Sequence, residues 1–155
     1  MGASKERLRA DLASALRAKD EVAKTTIRSL LAAISNEEVA GDTPRALSDA
    51  EEIKVITKEQ RKRRDSAQTY ADAGRQELAD HENVEAEFIA AYLPQPLTAD
   101  ELQAMVDAEV QAVRDAGETP SMKQMGAIVK AVNARAAGRA DGGTVAGMVK
   151  KALGA

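Results

Sequence analysis

Apolar residues recur every three or four positions along most of the chain, which is the spacing of one face of an α-helix. Over the first 93 residues this pattern predicts four helices, with Ser4 and Asp20 as the expected caps of the first two. The third predicted helix is long, since it runs from a capping box at Ser48 and Glu51 to about Ala73. No stretch alternates apolar and polar residues as a β-strand does, so the pattern predicts an all-α fold.

The sequence YLPQPLTADEL interrupts this pattern and predicts a boundary between two domains. Pro94 ends the fourth helix, and Pro96 keeps the following segment extended. We therefore expect an N-terminal helical bundle at residues 1–93, a proline-containing linker at 94–97 and a three-helix tail domain at 98–155. In the tail, Gly126 and Gly147 are expected to let helices pack closely.

The last two helices of the bundle have less regular patterns. The stripe of the third helix begins apolar but becomes polar at Gln60 and Arg63, which predicts that its middle leaves the core and projects into solvent or toward a partner. The apolar positions of the fourth helix are Leu78, Val84, Phe88, Ile89 and Tyr92.

Composition adds that the core is built from aliphatic residues. Hydrophobic residues make up 44% of the chain but aromatic residues only 2%, and there is no cysteine, which excludes disulfides and thiolate chemistry. The start of the sequence has no apolar signal segment, and no apolar run is long enough to span a bilayer. We expect a cytoplasmic protein with no membrane segment.

Charge is distributed unevenly along the chain. Between Ser121 and Ala155 six basic residues and one acidic residue give +5, so the first 120 residues carry −8 to reach the net charge of −3. A basic tail on an acidic body is typical of anion binding. The corner GRADGG is either a purely structural helix–turn–helix or a phosphate site at a helix N-terminus. The candidate RNA-binding residues are Lys123, Lys130, Arg139, Gly142, Gly143, Lys150 and Lys151.

A second basic cluster, KEQRKRR, lies in the third predicted helix. It is either a solvated helix face or a surface that binds phosphates or an acidic partner. Only Tyr70 is near it, which disfavours base stacking and leaves recognition of the backbone or shape of folded RNA. This secondary basic patch comprises Lys58, Arg61, Lys62, Arg63 and Arg64.

No set of residues marks a catalytic centre. The single histidine, His81, lies among acidic residues and is expected on the surface. The sequence contains no Cys–His pair, no tetrahedral zinc set, no nucleophile elbow and no phosphate-binding glycine loop. We predict no catalytic residue, no metal site and no cofactor.

Three segments together resemble one known family: KRRDSAQTYADAGRQEL, EFIAAYLPQPLTADEL, and the tail MGAIVKAV followed by GRADGGTVAGMVKKAL. In this order and spacing the chain resembles the YqeY family, also described as GatB/YqeY domain-containing proteins. The resemblance covers essentially the whole chain. It implies a two-part helical fold and kinship with the tail of the B subunit of the tRNA-dependent amidotransferase, which contacts tRNA.

The resemblance therefore implies tRNA as a partner, beside an aminoacyl-tRNA or amidotransferase complex. It does not imply catalysis, because the B subunit's catalytic domain has no counterpart here. A label of carbon–nitrogen ligase with glutamine as amido-nitrogen donor would be inherited only through the shared domain. Two main hypotheses follow: an RNA-binding accessory protein, or a helical protein–protein adaptor with no RNA role. A true ligase subunit is a third.

Overall fold

The structure is a computed structural model that describes residues 1–154. Within this range the chain forms seven α-helices and one short 3₁₀ turn and contains no strand, so the all-α prediction is confirmed for these residues. The elements are α1 (Ala3–Ala18), α2 (Glu21–Glu38), α3 (Asp49–Asp72), α4 (Gln76–Ala90), α5 (Ala99–Asp115), a 3₁₀ turn (Met122–Gln124), α6 (Met125–Ala136) and α7 (Gly142–Ala152). They fall into two compact units, unit 1 at residues 1–93 and unit 2 from Pro94 onward.

Capping boxes begin the main helix of each unit. The Ser48 hydroxyl accepts the Glu51 amide at the start of α3, and the Glu51 carboxylate accepts the Ser48 amide at 2.8 Å. Thr98 and Glu101 form the same reciprocal pair at the start of α5. Because each box satisfies two amides that have no partner inside the helix, it fixes where the helix begins.

The start of α1 is capped by another helix and not by Ser4, contrary to the sequence prediction. Gly2 occupies the cap position of α1, and the Glu52 carboxylate of α3 accepts the amides of Gly2 and Lys5, both at 2.9 Å. Asp49 accepts the Ala3 amide at 2.8 Å. A side chain from a distant helix therefore performs the role that the local pattern had assigned to Ser4.

The core of unit 1 lies between α1, α2 and α3, with α4 packed mainly on α3. The buried face of α4 is the predicted one only in part. Ile89 and Tyr92 are buried as expected, but Leu78 and Val84 are exposed, and Ala79 and Ala86 are buried in the first part of the helix. Small alanine side chains allow α4 to approach α3 closely, and this places the larger Leu78 and Val84 on the outer face. Apolar periodicity therefore predicted the buried positions at the C-terminal end of α4 but not those nearer its start.

The middle of α3 packs inside unit 1 and does not project, so the prediction of a protruding helix is wrong. The Arg63 side chain is only 12% exposed, and the Gln60 amide donates to the carbonyl of Ala86 in α4 at 3.0 Å. The polar residues turn inward because α2 and α4 supply hydrogen-bond partners for them.

Unit 2 encloses a separate aliphatic core. Its fully covered residues come from all three helices and are Leu102, Val106, Val110, Ile128, Val132, Val145 and Val149. Gly126 and Gly147 do not mediate close packing, because both are exposed and a Cβ atom built on either would meet open space. Residues 94–97 are tied to this unit, since the Leu97 amide donates to the carbonyl of Arg139 at 2.9 Å.

Candidate RNA-binding surface

Four lysines of unit 2 are exposed on the 3₁₀ turn and the two last helices. Lys123 lies in the 3₁₀ turn that Ser121 caps, Lys130 lies on α6, and Lys150 and Lys151 lie in the last turn of α7. Within residues 1–154 none of the four forms an ion pair with a carboxylate. Their charges are therefore available to an external anion.

Two of these lysines point in different directions, although they are adjacent in the sequence. Consecutive residues of an α-helix are rotated by about 100°, and the rise is about 1.5 Å per residue. Lys150 and Lys151 therefore face different sides of α7, and both lie about 12 Å along the axis from Gly142. The candidate residues form an extended belt, not a single pocket.

The start of α7 already contains an anion. Asp141 caps this helix, and its carboxylate accepts the Thr144 amide at 3.1 Å. Gly142 and Gly143 are exposed residues of the first helical turn, and neither has a positive φ. Since a helix N-terminus attracts anions through its unpaired amides, the Asp141 carboxylate offsets part of this attraction.

Arg139 has a structural role in the same corner. Its Nε donates to the carbonyl of Gln95 at 2.7 Å, and its own carbonyl accepts the Leu97 amide at 2.9 Å. These two bonds attach residues 95–97 to the turn between α6 and α7. Replacing Arg139 would therefore disturb local structure as well as charge.

The helices of unit 2 differ in charge. Residues 94–120, which include α5, carry six acidic residues and one arginine, whereas residues 121–155 carry six basic residues and one acidic residue. The unit is therefore neutral as a whole but polarised between α5 and the segment that contains α6 and α7. An ion pair between these segments joins Arg135 to Glu109 at 3.5 Å.

In the secondary basic patch of α3, Arg63 is enclosed by partners from three helices. Its Nη1 donates to Glu59 at 2.9 Å, its Nη2 donates to the hydroxyl of Ser29 at 2.7 Å, and its Nε lies 3.4 Å from the Glu85 carboxylate. With both carboxylates also only 12% exposed, this cluster is part of the interior of unit 1.

Other charges of this patch are paired as well. Lys62 donates to Glu59 at 3.0 Å, and Arg64 donates to Glu87 of α4 at 2.9 Å. Burial raises the pKa of Glu59, but hydrogen bonds and charges from Lys62 and Arg63 outweigh it and hold that pKa below its usual value. Lys58 and Arg61 are exposed. Of the five residues only Arg63 is interior, and Lys62 and Arg64 are exposed but paired with carboxylates of the same unit.

Two other features of the described residues bear on chemistry. His81 is exposed, as its acidic neighbours suggested, and its Nε2 lies 3.4 Å from Glu85. Among the residues described, no group of three or more His, Cys, Asp or Glu side chains is arranged to hold a metal ion. None of the helices in this range is both long and apolar enough to cross a membrane.

The sequence pattern missed one basic residue, Arg114. It lies near the end of α5, where it lines a groove together with Lys151 of α7. Arg114 lies on an otherwise acidic helix, so the net charge of that sequence segment did not reveal it. The detectable signal was a polar stripe at helical spacing, formed by Gln103, Asp107, Gln111 and Arg114.

Comparison with known proteins identifies the family. The model of the family described as "Yqey-like protein" matches residues 5–153, which is nearly the whole chain. The chain belongs to the YqeY family. This confirms the resemblance that the three quoted segments carried.

Curated relatives of the chain include three yeast proteins of the same name, "Altered inheritance of mitochondria protein 41, mitochondrial". The protein of Clavispora lusitaniae is 39% identical over 101 residues, covering 64% of this chain and 58% of the relative. That of Eremothecium gossypii is 40% identical over 107 residues, covering 65% and 56%. That of Meyerozyma guilliermondii is 30% identical over 128 residues, covering 81% and 66%. The first two matches thus span little more than half the length of each relative.

These relatives correct one prediction. The sequence pattern led us to expect a cytoplasmic protein, but the similar curated proteins are named as mitochondrial. The expectation was wrong because it rested on the lack of an apolar signal segment, which does not distinguish the cytoplasm from other compartments.

Proposed function

We propose that unit 2 binds folded RNA, with tRNA as the first candidate, through the exposed lysines of the 3₁₀ turn, α6 and α7. The observation that carries this proposal is the polarised charge of unit 2, in which Lys123, Lys130, Lys150 and Lys151 have no carboxylate partner within the described chain. Unpaired lysines on one segment attract phosphates, and the counterions that they displace provide the free energy of binding.

The composition of unit 2 favours recognition of the backbone over recognition of bases. The three aromatic residues, Tyr70, Phe88 and Tyr92, all precede Pro94. Binding of single strands depends on stacking between bases and aromatic rings, which unit 2 lacks. Contacts to phosphates and 2′-hydroxyls of a folded RNA need only cations and polar groups.

In the cell, this proposal corresponds to an accessory role beside a tRNA-modifying complex. The support for it is the resemblance to the tail of the amidotransferase B subunit, which contacts tRNA. No catalytic step is proposed, since unit 2 offers lysines and an arginine but no acid–base pair arranged around them. In this role the protein would hold or deliver tRNA while another subunit performs chemistry.

The adaptor hypothesis has less support. It depended on a third helix that projects toward a partner, whereas α3 packs on α2 and α4 and its basic residues pair internally. An adaptor would tolerate the loss of charge on α6 and α7, so the same experiment separates the two hypotheses.

The test is binding of the purified protein to fluorescently labelled bulk tRNA at about 50 and 200 mM salt. Four phosphate contacts predict a slope of about −3 to −4 for the logarithm of the association constant against the logarithm of salt. A Lys130→Ala/Lys150→Ala variant removes two exposed charges of unit 2. An Arg9→Ala/Lys54→Ala variant, in which both residues are exposed in unit 1, makes the same change of net charge and serves as the control.

Salt-dependent binding that weakens in the first variant and persists in the control supports the proposal. Equal weakening in both variants would indicate attraction to total charge only and would overturn the assignment to unit 2. An absence of binding at 50 mM salt would overturn RNA binding altogether.

A further inference from the structure

A half-open groove of about 400 Å³ lies between α5 and α7. Val110, Met148 and Ala152 provide apolar surface along it, and polar side chains of both helices complete its lining. Its volume falls within the range of about 300–1,000 Å³ that is typical of small-ligand sites. Unit 2 has a second groove of about 380 Å³ between α5 and α6, but the charged residues that line it, Glu109 and Glu118, are acidic and do not suit a phosphate.

Two cations from different helices line this groove. Arg114 belongs to α5 and Lys151 to α7, and neither forms an ion pair within residues 1–154. Both lie in the last turns of their helices, where a positive charge also stabilises the C-terminal end of the dipole. Stabilising a helix end requires only one cation at that end. Two cations that line the same groove can in addition both contact one anion. Arginine in particular binds phosphate oxygens through two parallel hydrogen bonds.

The remaining polar lining includes a carboxylate with a fixed orientation. Asp107 accepts from the Gln103 amide at 2.8 Å, and the neighbouring Gln111 amide donates to Asp115 at 2.9 Å. A carboxylate opposes an anion, but it accepts well from a hydroxyl. Within one groove, therefore, there are donors suited to a phosphate, an acceptor suited to a sugar hydroxyl and an apolar surface suited to the ribose ring.

We propose that this groove holds one nucleotide of the bound RNA, with its phosphate between Arg114 and Lys151 and a ribose hydroxyl on Asp107. The inference rests on the proposed function, since it names the place where a part of the same RNA is enclosed. It adds Arg114 to the RNA-binding residues. It also assigns different roles to Lys150 and Lys151 in the last turn of α7. Lys151 contacts the enclosed phosphate, and Lys150 contributes only to the general field.

The chain provides matched pairs for the test. Lys150→Ala and Lys151→Ala remove the same charge from adjacent positions, but only Lys151 lines the groove. Arg114→Ala and Arg135→Ala remove the same group, but Arg135 pairs with Glu109 and lies outside the groove. We expect Lys151→Ala and Arg114→Ala each to weaken tRNA binding about tenfold and the other two about twofold or less, as measured by fluorescence anisotropy near 100 mM salt.

A second readout reports on the groove without long RNA. The methyl signals of Val110 and Met148 should shift on titration with a short ribo-oligonucleotide, and shift less with the deoxyribo-oligonucleotide of the same sequence, because Asp107 then loses the 2′-hydroxyl. The Asp107→Asn variant keeps an acceptor oxygen and should retain the preference for the ribose form. Circular dichroism of every variant checks that unit 2 remains folded.

Each outcome decides one claim. If tRNA binds but Lys150→Ala and Lys151→Ala weaken it equally, the groove is overturned and the RNA-binding surface stands. Suppose that tRNA does not bind, but that the oligonucleotide shifts the methyl signals of the groove and Arg114→Ala abolishes these shifts. The proposed function is then overturned and the groove stands as a nucleotide site. If the methyl signals do not move with either oligonucleotide at millimolar concentration, the groove is overturned regardless of tRNA affinity.

Discussion

The two units differ in whether their basic residues are paired with carboxylates. In unit 1 the dense cluster on α3 is largely neutralised, because Arg63 meets Glu59 and Glu85 and Arg64 meets Glu87. In unit 2 the lysines of α6 and α7 are sparse in the sequence but have no such partners in the described chain. The density of basic residues in a sequence is therefore a poor guide to a binding surface. The better guide is whether folding brings carboxylates to those residues.

The position of the acidic residues explains this difference. In unit 1, α4 carries acidic residues along the side that packs on α3, so assembly of the unit pairs opposite charges. In unit 2 most acidic residues belong to α5, and an ion pair of Arg135 with Glu109 links it to the basic segment. The ion pairs of unit 1 contribute to its stability, whereas the lysines of unit 2 have no carboxylate partner in the described chain.

Among the variants that test this contrast between the two units, replacement of Arg63 is expected to have the largest effect. Arg63→Ala removes the buried guanidinium that Glu59 and Glu85 share and leaves Glu59 only the exposed Lys62, so we expect unit 1 to lose about 3 kcal/mol of unfolding free energy. Urea unfolding followed by tyrosine fluorescence measures this in unit 1, because Tyr70 and Tyr92 are the only tyrosines and there is no tryptophan. Lys58→Ala, at an exposed position of the same helix, should change stability by less than about 0.5 kcal/mol. Equal losses in the two variants would contradict the internal role of Arg63.

The corresponding change in unit 2 should affect binding and not stability. Lys130→Ala/Lys151→Ala is expected to weaken tRNA binding at least about tenfold near 100 mM salt and to reduce the salt slope by about 2. The thermal unfolding midpoint should move little, because exposed lysines without partners contribute little to folding. A large fall in that midpoint together with an unchanged slope would show that these lysines are structural.

Glu59, which pairs with Lys62 and Arg63 of its own helix α3, provides a pH-dependent comparison. Glu59→Gln should destabilise unit 1 by about 1.5 kcal/mol at pH 7, since it removes charge-assisted hydrogen bonds from Lys62 and Arg63. The pKa of Glu59 is lowered in the folded chain, so its contribution is present above the ordinary glutamate pKa of about 4.3 and is lost as pH falls through the folded value. The difference between wild type and variant should therefore shrink between about pH 5 and pH 3. A difference that grows in this range would contradict the assignment.

The smallest expected effect concerns a feature that both units share. Ser48→Ala and Thr98→Ala each remove the hydroxyl of a capping box, and each should lower stability by about 1 kcal/mol. Denaturation followed by far-ultraviolet circular dichroism measures both changes. Ser48→Thr and Thr98→Ser keep the hydroxyl and should retain most of the stability. An alanine variant no less stable than its hydroxyl control would indicate that the box does not set the helix start.

Local signals in the sequence predicted the helices well because their causes are local. The capping boxes at Ser48 and Thr98 and the cap at Asp141 are each made by residues within three positions of one another. The same reasoning failed at Ser4, since the cap of α1 is Glu52 of another helix. It failed in part for α4, where Ile89 and Tyr92 are buried as expected but small alanines pack on α3 in place of the larger Leu78 and Val84.

The candidate site was predictable only in part for the same reason. The net charge of each sequence segment identified the basic segment of unit 2, because its lysines remain exposed however the helices of the unit pack. It also selected the α3 cluster, whose partners Ser29, Glu85 and Glu87 lie 22 to 34 positions away in the sequence. Arg114 was missed because its proximity to Lys151 depends on how α5 packs beside α7.

The most direct test of this account compares the two basic regions in one binding experiment. Lys130→Ala/Lys151→Ala changes unit 2, and Lys58→Ala/Arg64→Ala makes the same charge change on α3. Dissociation constants for labelled bulk tRNA are measured for both variants and the wild type at about 50 mM salt. We predict that the unit 2 variant loses at least about tenfold in affinity while the α3 variant stays within about twofold of the wild type. The reverse order, or equal losses, would contradict the claim that the unpaired lysines of unit 2 form the RNA-binding surface.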